Sequence, residues 1–347
     1  MSYYILPKNI NIINLNPKCS NDLPSIYISH SLIQYYESLK QQIIDIFSDN
    51  ESCSFEHICK LANPYEFIFS QVPGSKFSVS KLKSKNNLFY DLLEITNNLN
   101  LFSFVDPLNC LHFLHFTPNY EDSIECFEMF RENCHDNHVF LNKFNENDYT
   151  KFDFLFCEMS SGNCFISLVQ IIATILKNQK TNGTCIIKIS DTFYKPTIDA
   201  LYLLASFYDR VYISKPNTNN VITFEKYVIC KNFFDDKGTN LEETYGKLNA
   251  FLNKIGNKYT CSLIDYEVPY YFKNKIDDIN IIIGQQQLDA LDLILSIYKN
   301  KNKNEKIETI KKNSIQISAS WCEKYKIPYN KFSEKINIFL PMMNETI

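Results

Sequence analysis

The chain has 347 residues, 45% hydrophobic and 21% charged, with a formal net charge of −4. That balance fits one large or two small soluble globular domains and excludes a heavily basic, nucleic-acid-coated surface, leaving only a local basic groove open. No run of 18 or more apolar residues and no charged-then-apolar N-terminus occurs, so neither a membrane span nor a secretory leader is expected.

Twelve cysteines lie scattered without a regular framework, which reads as reduced intracellular thiols. Asn, Ile and Lys abound while Arg131 and Arg210 are the only arginines, a bias of the kind AT-rich coding produces. Glycine is the sharper observation: seven of 347 residues, with none from Ser75 to Ser161, against a usual ~7%.

In chain order, residues 1–75 alternate short apolar runs with Asn, Pro and Ser, and helical spacing covers Leu32–Ile46 and Ser54–Leu61. A helical N-terminal extension is expected there. Leu111–Phe116 reads as a strand, followed by a turn through Thr117, Pro118 and Asn119 and an amphipathic helix, Ile124–Arg131. Cys134-His135-Asp136-Asn137-His138 offers one Cys and two His with no second ligand pair, so a loop with surface histidines is expected rather than zinc; His112 and His115 are similarly weak. Lys151–Ser160 is a strand and Cys164–Leu176 a helix.

Cys185–Ile189 has the composition of a buried strand, with Lys188 as its one odd residue, since buried lysines are rare unless paired. Pro196 opens a helix with apolar positions Ile198, Leu201, Leu204, Ala205 and Tyr208. Val211–Ile213 and Tyr227–Cys230 are strands separated by a turn at Lys215-Pro216-Asn217. Leu241–Ile255 and Gln285–Tyr298 are helices, Lys299–Lys306 is a solvated stretch, and Trp321 is a packing anchor. The fold class is α/β: a Rossmann-like, mostly parallel sheet with helices on both faces and helical extensions at both ends. The expected segments are 1–75, 76–235 and 236–347.

The segment Thr184–Phe233, preceded by Gly183, carries Lys188, Lys215, Pro216, Glu225, Tyr227, Lys231, Asn232 and Phe233 in the register G-T-x-x-I-K … K-P … E-x-Y-x-V-C-K-N-F. This resembles the C-terminal half of the FtsJ/RrmJ family of S-adenosylmethionine-dependent RNA ribose 2′-O-methyltransferases, in the cap-methylating form of large DNA viruses. The likeness covers about fifty residues well and Lys76–Ile347 more weakly. Ser320–Pro328 is similar to a C-terminal motif of viral members. Cys185–Lys215 is also similar to the poxvirus capping-enzyme small subunit, a degenerate methyltransferase fold that stimulates its partner.

The resemblance implies a Lys-Asp-Lys-Glu tetrad whose second lysine assists deprotonation of the ribose hydroxyl. In this chain Lys188 and Glu225 match, Glu158 stands where the family has aspartate, and Asp91 stands where it has the first lysine. Asp91 lies in Asn86–Glu94, which looks like the family's entry helix; Lys85 and Lys83, six and eight residues earlier, could substitute only if the alignment shifts, and neither carries that helix's local pattern. Asp153 sits at the wrong end of its strand. The family's cofactor loop, an acidic residue followed by x-P-G-G, aligns with His115-Phe116-Thr117-Pro118-Asn119, without either glycine. The expectation is therefore a catalytically degenerate member with no bound S-adenosylmethionine, acting as a non-catalytic binding or stimulatory component of viral mRNA capping or transcription. Its partners would be a capping-enzyme or transcription-complex subunit and an mRNA 5′ end, with no membrane, in host cytoplasm or virion. The rivals are an active cap 2′-O-methyltransferase using S-adenosylmethionine and a virion structural protein. Lys195, Lys215, Lys226 and Lys231 are RNA-binding candidates, with Tyr194 or Tyr227 placed to stack on bases.

Overall fold

The structure, a computed structural model, describes residues 2–9, 13–47, 52–70, 77–103, 109–118, 120–132, 134–141, 151–159, 162–234, 241–300 and 303–330. Its strands are β1 (Ser2–Ile5), β2 (Leu15–Ser20), β3 (His112–Phe116), β4 (Asn137–Phe140), β5 (Phe152–Glu158), β6 (Gln179–Ile189), β7 (Tyr208–Lys215), β8 (Lys226–Phe233) and β9 (Tyr259–Ile264). Its helices are α1 (His30–Phe47), α2 (Ser52–Ala62), α3 (Leu88–Leu99), α4 (Tyr120–Phe130), α5 (Cys164–Asn178), α6 (Lys195–Phe207), α7 (Leu241–Ile255), α8 (Tyr270–Lys299) and α9 (Asn304–Lys324).

The main sheet runs β1-β7-β8-β6-β5-β3-β4. Pairing is parallel across β4, β3, β5 and β6 and antiparallel at β6–β8, β8–β7 and β7–β1. Five of the seven strands therefore point the same way, with β8 and β1 reversed. Helices α4 and α5 supply the crossovers β3–β4 and β5–β6, which leave the β3/β5 boundary in opposite directions. That boundary is a switch point, and in open α/β sheets ligands bind outside the carboxyl ends of the strands at such a place.

Both faces of the sheet are covered, as the unbroken apolar runs require. Leu114, Leu155, Cys157, Cys185, Ile187 and Val228 join one core with α5 and α6. Their alternate neighbours Phe113 and Phe154 pack on Phe127 of α4, with ring centroids 5.5 and 4.9 Å away. Period-2 alternation puts Phe156, Glu158, Ile186, Lys188 and Tyr227 on that second face. The fold is thus Rossmann-like α/β, as the residue pattern predicts.

Pro196 stands in the first turn of α6, where a missing N–H costs nothing. Gly183 is sterically obligatory in β6: an added Cβ would meet Gln179 Nε2 at 2.0 Å, Lys180 O at 2.7 Å and Asp153 O at 2.9 Å. Two short strands, β2 and β9, pair antiparallel beside α6. They are tied to it by the buried Asp199 carboxylate, which accepts from Leu263 N at 2.9 Å.

By packing, residues 1–33, 88–219 and 224–284 form one unit, and 34–87, 220–223 and 285–347 a second. The units interleave in sequence, where the residue pattern suggested three consecutive segments. Residues 1–75 are also not helical throughout, since β1 and β2 fall within them. In the second unit α2 packs on α9, and Ser318 Oγ donates to Pro64 O at 2.9 Å. Trp321 is buried there against Tyr325, ring centroids 4.6 Å apart, the anchoring role its sequence context suggested. Among the described residues no helix is long and apolar enough to cross a membrane.

Candidate functional site

Four elements bring the tetrad positions together. Glu158 ends β5, Lys188 lies opposite it near the end of β6, Glu225 precedes β8, and Asp91 sits in the first turn of α3. Lys188 Nζ is 3.5 Å from Glu158 Oε1 and 3.5 Å from Glu225 Oε2. Burial opposes the charged form of Lys188, but Glu158, Glu225 and Asp91 outweigh it and raise its pKa. An ammonium held this firmly is a poor proton acceptor at neutral pH.

Asp91 does not reach out as a lysine there would. It is buried, and it accepts from Thr218 Oγ1, from Asn219 Nδ2 at 2.8 Å and from Tyr227 OH at 2.9 Å. Glu94, one turn on, accepts from Asn217 N at 3.2 Å. This face of α3 thus grips the turn after β7. Burial raises the pKa of Asp91, opposed by those three hydrogen bonds and by Lys188.

That turn carries a second cation to the cluster. Lys215 Nζ donates to Asn219 Oδ1 and to Glu225 O, both at 2.8 Å. Burial pushes its pKa down to about 7, helped by Lys226 and opposed by Asp91 and Glu225. Sequence reasoning placed Lys215 in an RNA groove; here it neighbours the tetrad positions. The signal for this was available in the residues just after it, since Asn219 follows at turn distance and Asp91 needs donors.

At the switch point, the carboxyl ends of β3 and β5 are joined directly. Thr117 Oγ1 donates to Glu158 Oε2, so the longer glutamate arm reaches the segment aligned with the cofactor loop. Thr117 is buried and Pro118 exposed; Asn119 lies outside the described residues.

Behind Thr117 the second sheet face also holds a buried polar cluster beside its aromatic core. His115, fully buried, has Nδ1 2.7 Å from Ser123 Oγ and Nε2 2.9 Å from His138 Nδ1. The Ser123 hydroxyl donates to Tyr120 O at 2.8 Å, so His115 donates from Nδ1 and accepts from His138 at Nε2. Burial, reinforced by His138, pushes the His115 pKa down to about 3. His138 is therefore not a surface loop residue but part of β4, which corrects the sequence expectation. Asp136 is committed to Arg131, with Nε–Oδ2 2.5 Å and both side chains buried, and also accepts from Leu111 N at 2.8 Å. Among the described residues no group of three or more His, Cys, Asp or Glu side chains is arranged to hold a metal.

The four lysine candidates do not line one groove. Lys226 is fully buried, donating to Thr192 Oγ1 at 2.9 Å and Asn280 Oδ1 at 3.0 Å, and Tyr227 is buried with its hydroxyl on Asp91. Neither is placed to contact RNA, because strand alternation turns them into opposite faces of a covered sheet. Lys195 pairs with Asp199 at 3.1 Å, and Lys231 donates to Leu99 O at 3.1 Å. Tyr194 is half-buried, edge-on to Phe165. Asp153 pairs with Lys180 at 2.6 Å, away from the site.

The chain is similar to three cap-specific mRNA (nucleoside-2′-O-)-methyltransferases. It is 28% identical to that of Leishmania braziliensis over 127 residues, 35% of this chain and 31% of the relative. It is 29% identical to that of Dictyostelium discoideum over 158 residues, 45% and 20% of the two chains. For Trypanosoma cruzi the figures are 36% over 67 residues, 19% and 18%. The matched region spans less than a third of the length of each of these curated relatives. No family model matches. Among solved structures, a putative ribosomal RNA methyltransferase of Plasmodium falciparum overlaps 43% of this chain and 98% of its own at 14% identity and TM-score 0.34. Human N-acetylserotonin methyltransferase, in complex with S-adenosylmethionine, overlaps 42% and 55% at 10% identity and TM-score 0.27. Those scores are low, so the fold rests on the strand order itself. What sequence similarity adds is that this α/β chain resembles RNA cap methyltransferases.

Proposed function

We propose that this chain works at the 5′ end of mRNA as a methyltransferase-fold protein that does not itself transfer a methyl group, acting as a binding or stimulatory component of capping. The observation that carries this reading is the Thr117–Glu158 hydrogen bond across the switch point. A sulfonium cofactor in that crevice needs close approach to backbone just beyond β3, which the family's glycines permit and Pro118 in the first glycine position does not, while the Thr117–Glu158 bond occupies the adjoining polar groups. The described residues there do not fit S-adenosylmethionine. Asp91 adds to this, because a carboxylate fixed by three donors replaces the cation that would tune Lys188.

A second reading, an active cap ribose 2′-O-methyltransferase, is favoured by one observation: Lys215, with its depressed pKa, brings a lysine back to the cluster from β7 instead of α3. A third, a virion structural protein, differs from the first in lacking a capping partner, so co-purification with a capping subunit separates the two. Isothermal titration with S-adenosylmethionine, and separately with its demethylated product, tests the main reading. No heat and no thermal shift at millimolar ligand is the expected outcome. Micromolar binding would overturn it, and methyl transfer with a Lys188→Ala control would then decide for the second reading.

A further inference from the structure

The second unit holds a concentration of charge that the tetrad region does not explain. Two segments of it, Lys81–Lys85 and Glu323–Asn330, contain five lysines and one glutamate in a chain whose net charge is −4. They lie side by side: Lys81 N donates to Pro328 O at 2.8 Å, Asn330 N to Val79 O at 2.9 Å, and Ser80 and Tyr329 form an antiparallel bridge. Between them is a cleft of about 390 Å³ lined by Lys81, Glu323, Lys326, Ile327, Pro328 and Tyr329.

The side chains present charge to solvent in a regular way. Lys81, Lys83 and Lys85 are exposed while Leu82 is half-buried and Ser84 buried, so the lysines share the outer side of the segment. Across the cleft, Lys326 follows the end of α9 with φ +58, a left-handed position that glycine adopts without penalty and lysine does not. The backbone there is held by Lys326 N to Glu323 O at 3.1 Å and Ile327 N to Cys322 O at 2.8 Å. The helix dipole accounts for Lys324 in the last turn of α9. It does not account for Lys81 and Lys83, which stand on a different segment. Tyr329, half-buried, supplies an aromatic ring at the same cleft.

We propose that this cleft, lined by Lys81 and Lys326, together with Lys83 on the exposed side of the adjoining segment, binds the phosphate backbone of single-stranded RNA, with Tyr329 stacking on one base. Lysines beside an aromatic ring are how sequence-tolerant single-strand sites are built: charge tracks the backbone and the ring takes any base. The choice of RNA over another polyanion rests on the proposed role at mRNA 5′ ends; the site itself does not.

The test uses the full chain and a short fluorescein-labelled, uncapped oligouridylate, followed by anisotropy across a salt series. The Lys81→Glu/Lys83→Glu/Lys326→Glu variant should bind at least about tenfold more weakly. Its slope of log affinity against log salt should fall by about 2, from three lost phosphate contacts at roughly 0.7 each. Tyr329→Ala should weaken binding about tenfold with the slope unchanged. A melting midpoint matching the parent shows that the triple variant remains folded. Unchanged affinity and slope in that variant overturn the proposal, as does binding of phosphatidylserine vesicles without binding of the oligouridylate. The probe carries no cap, so absence of a capping partner, or of competition by a cap analogue, defeats the functional reading while leaving this result standing.

Discussion

The two halves of the main sheet treat their buried polar groups differently. In β5–β6–β8 the polar residues converge on an ammonium that solvent still reaches: the Lys188 side chain is 24% exposed and its partner Glu225 42%. In β3–α4–β4 they close on one another. His115 engages Ser123 and His138, and Asp136 engages Arg131, while Thr117 reaches across to Glu158 of β5. A buried polar group must find a partner or be costly. Where a ligand supplies part of that partnership the protein leaves donors and acceptors directed at a cavity; where none does, side chains supply it. The first half has the form of a site, the second that of a polar core.

The largest expected effect tests the second half. Arg131→Ala should cost about 3–5 kcal/mol in urea unfolding, because Asp136 is left buried without its cation. A small stability change, with altered ligand binding instead, would mean that this pair holds a site open and would break the comparison. Gly183→Ala comes next, at about 3 kcal/mol from overpacking against Lys180 O and Asp153 O. It would show that this motif glycine serves packing in β6 and not chemistry at Lys188.

The smallest effect is a pH dependence. With a folded pKa of about 3, His115 stays neutral while the unfolded chain takes up a proton below about 6.5. The unfolded state binds more protons in that window, so stability falls as pH drops through it, by about 2 kcal/mol at pH 5 from this group. Unfolding midpoints of the parent and of His115→Gln at pH 7.5 and pH 5 isolate that share. An identical pH response in both would mean that the His115–His138 pair titrates normally and that the region is open to solvent.

Much of the architecture was legible because strong local patterns coincided with tertiary demand. The apolar runs of β5, β6, β7 and β8 are buried on both faces, and α7 covers the span its periodicity gave. The strands missed, β1, β2, β4 and β9, have four to six residues each, and β2 contains Pro17. Short runs of that kind carry too little periodicity to stand out. Helix α8 begins fifteen residues before the expected Gln285, at Tyr270, because its first half buries Phe272, Ile276, Ile279 and Ile283 without the clean polar face that marks an amphipathic helix. Lys226 looked like a groove residue beside Glu225 and Tyr227. Only the packing of Asn280 from α8 over that position shows why a lysine is buried there.

The sequence pattern alone pointed to the α/β class and to the later strands in chain order, because unbroken apolar runs alternating with helical spacing fit few other architectures. The meeting of Lys188 with Glu158 and Glu225 was implied by the family resemblance, and the register of β5, β6 and β8 brings it about. Tertiary structure decided what the site lacks and what replaces it. That Asp91 turns toward Thr218, Asn219 and Tyr227, that Thr117 closes on Glu158, and that Lys215 joins the cluster all depend on contacts between residues 10 to 136 positions apart. Such contacts are set by how buried carboxylates and amines find partners in three dimensions, which no local pattern records.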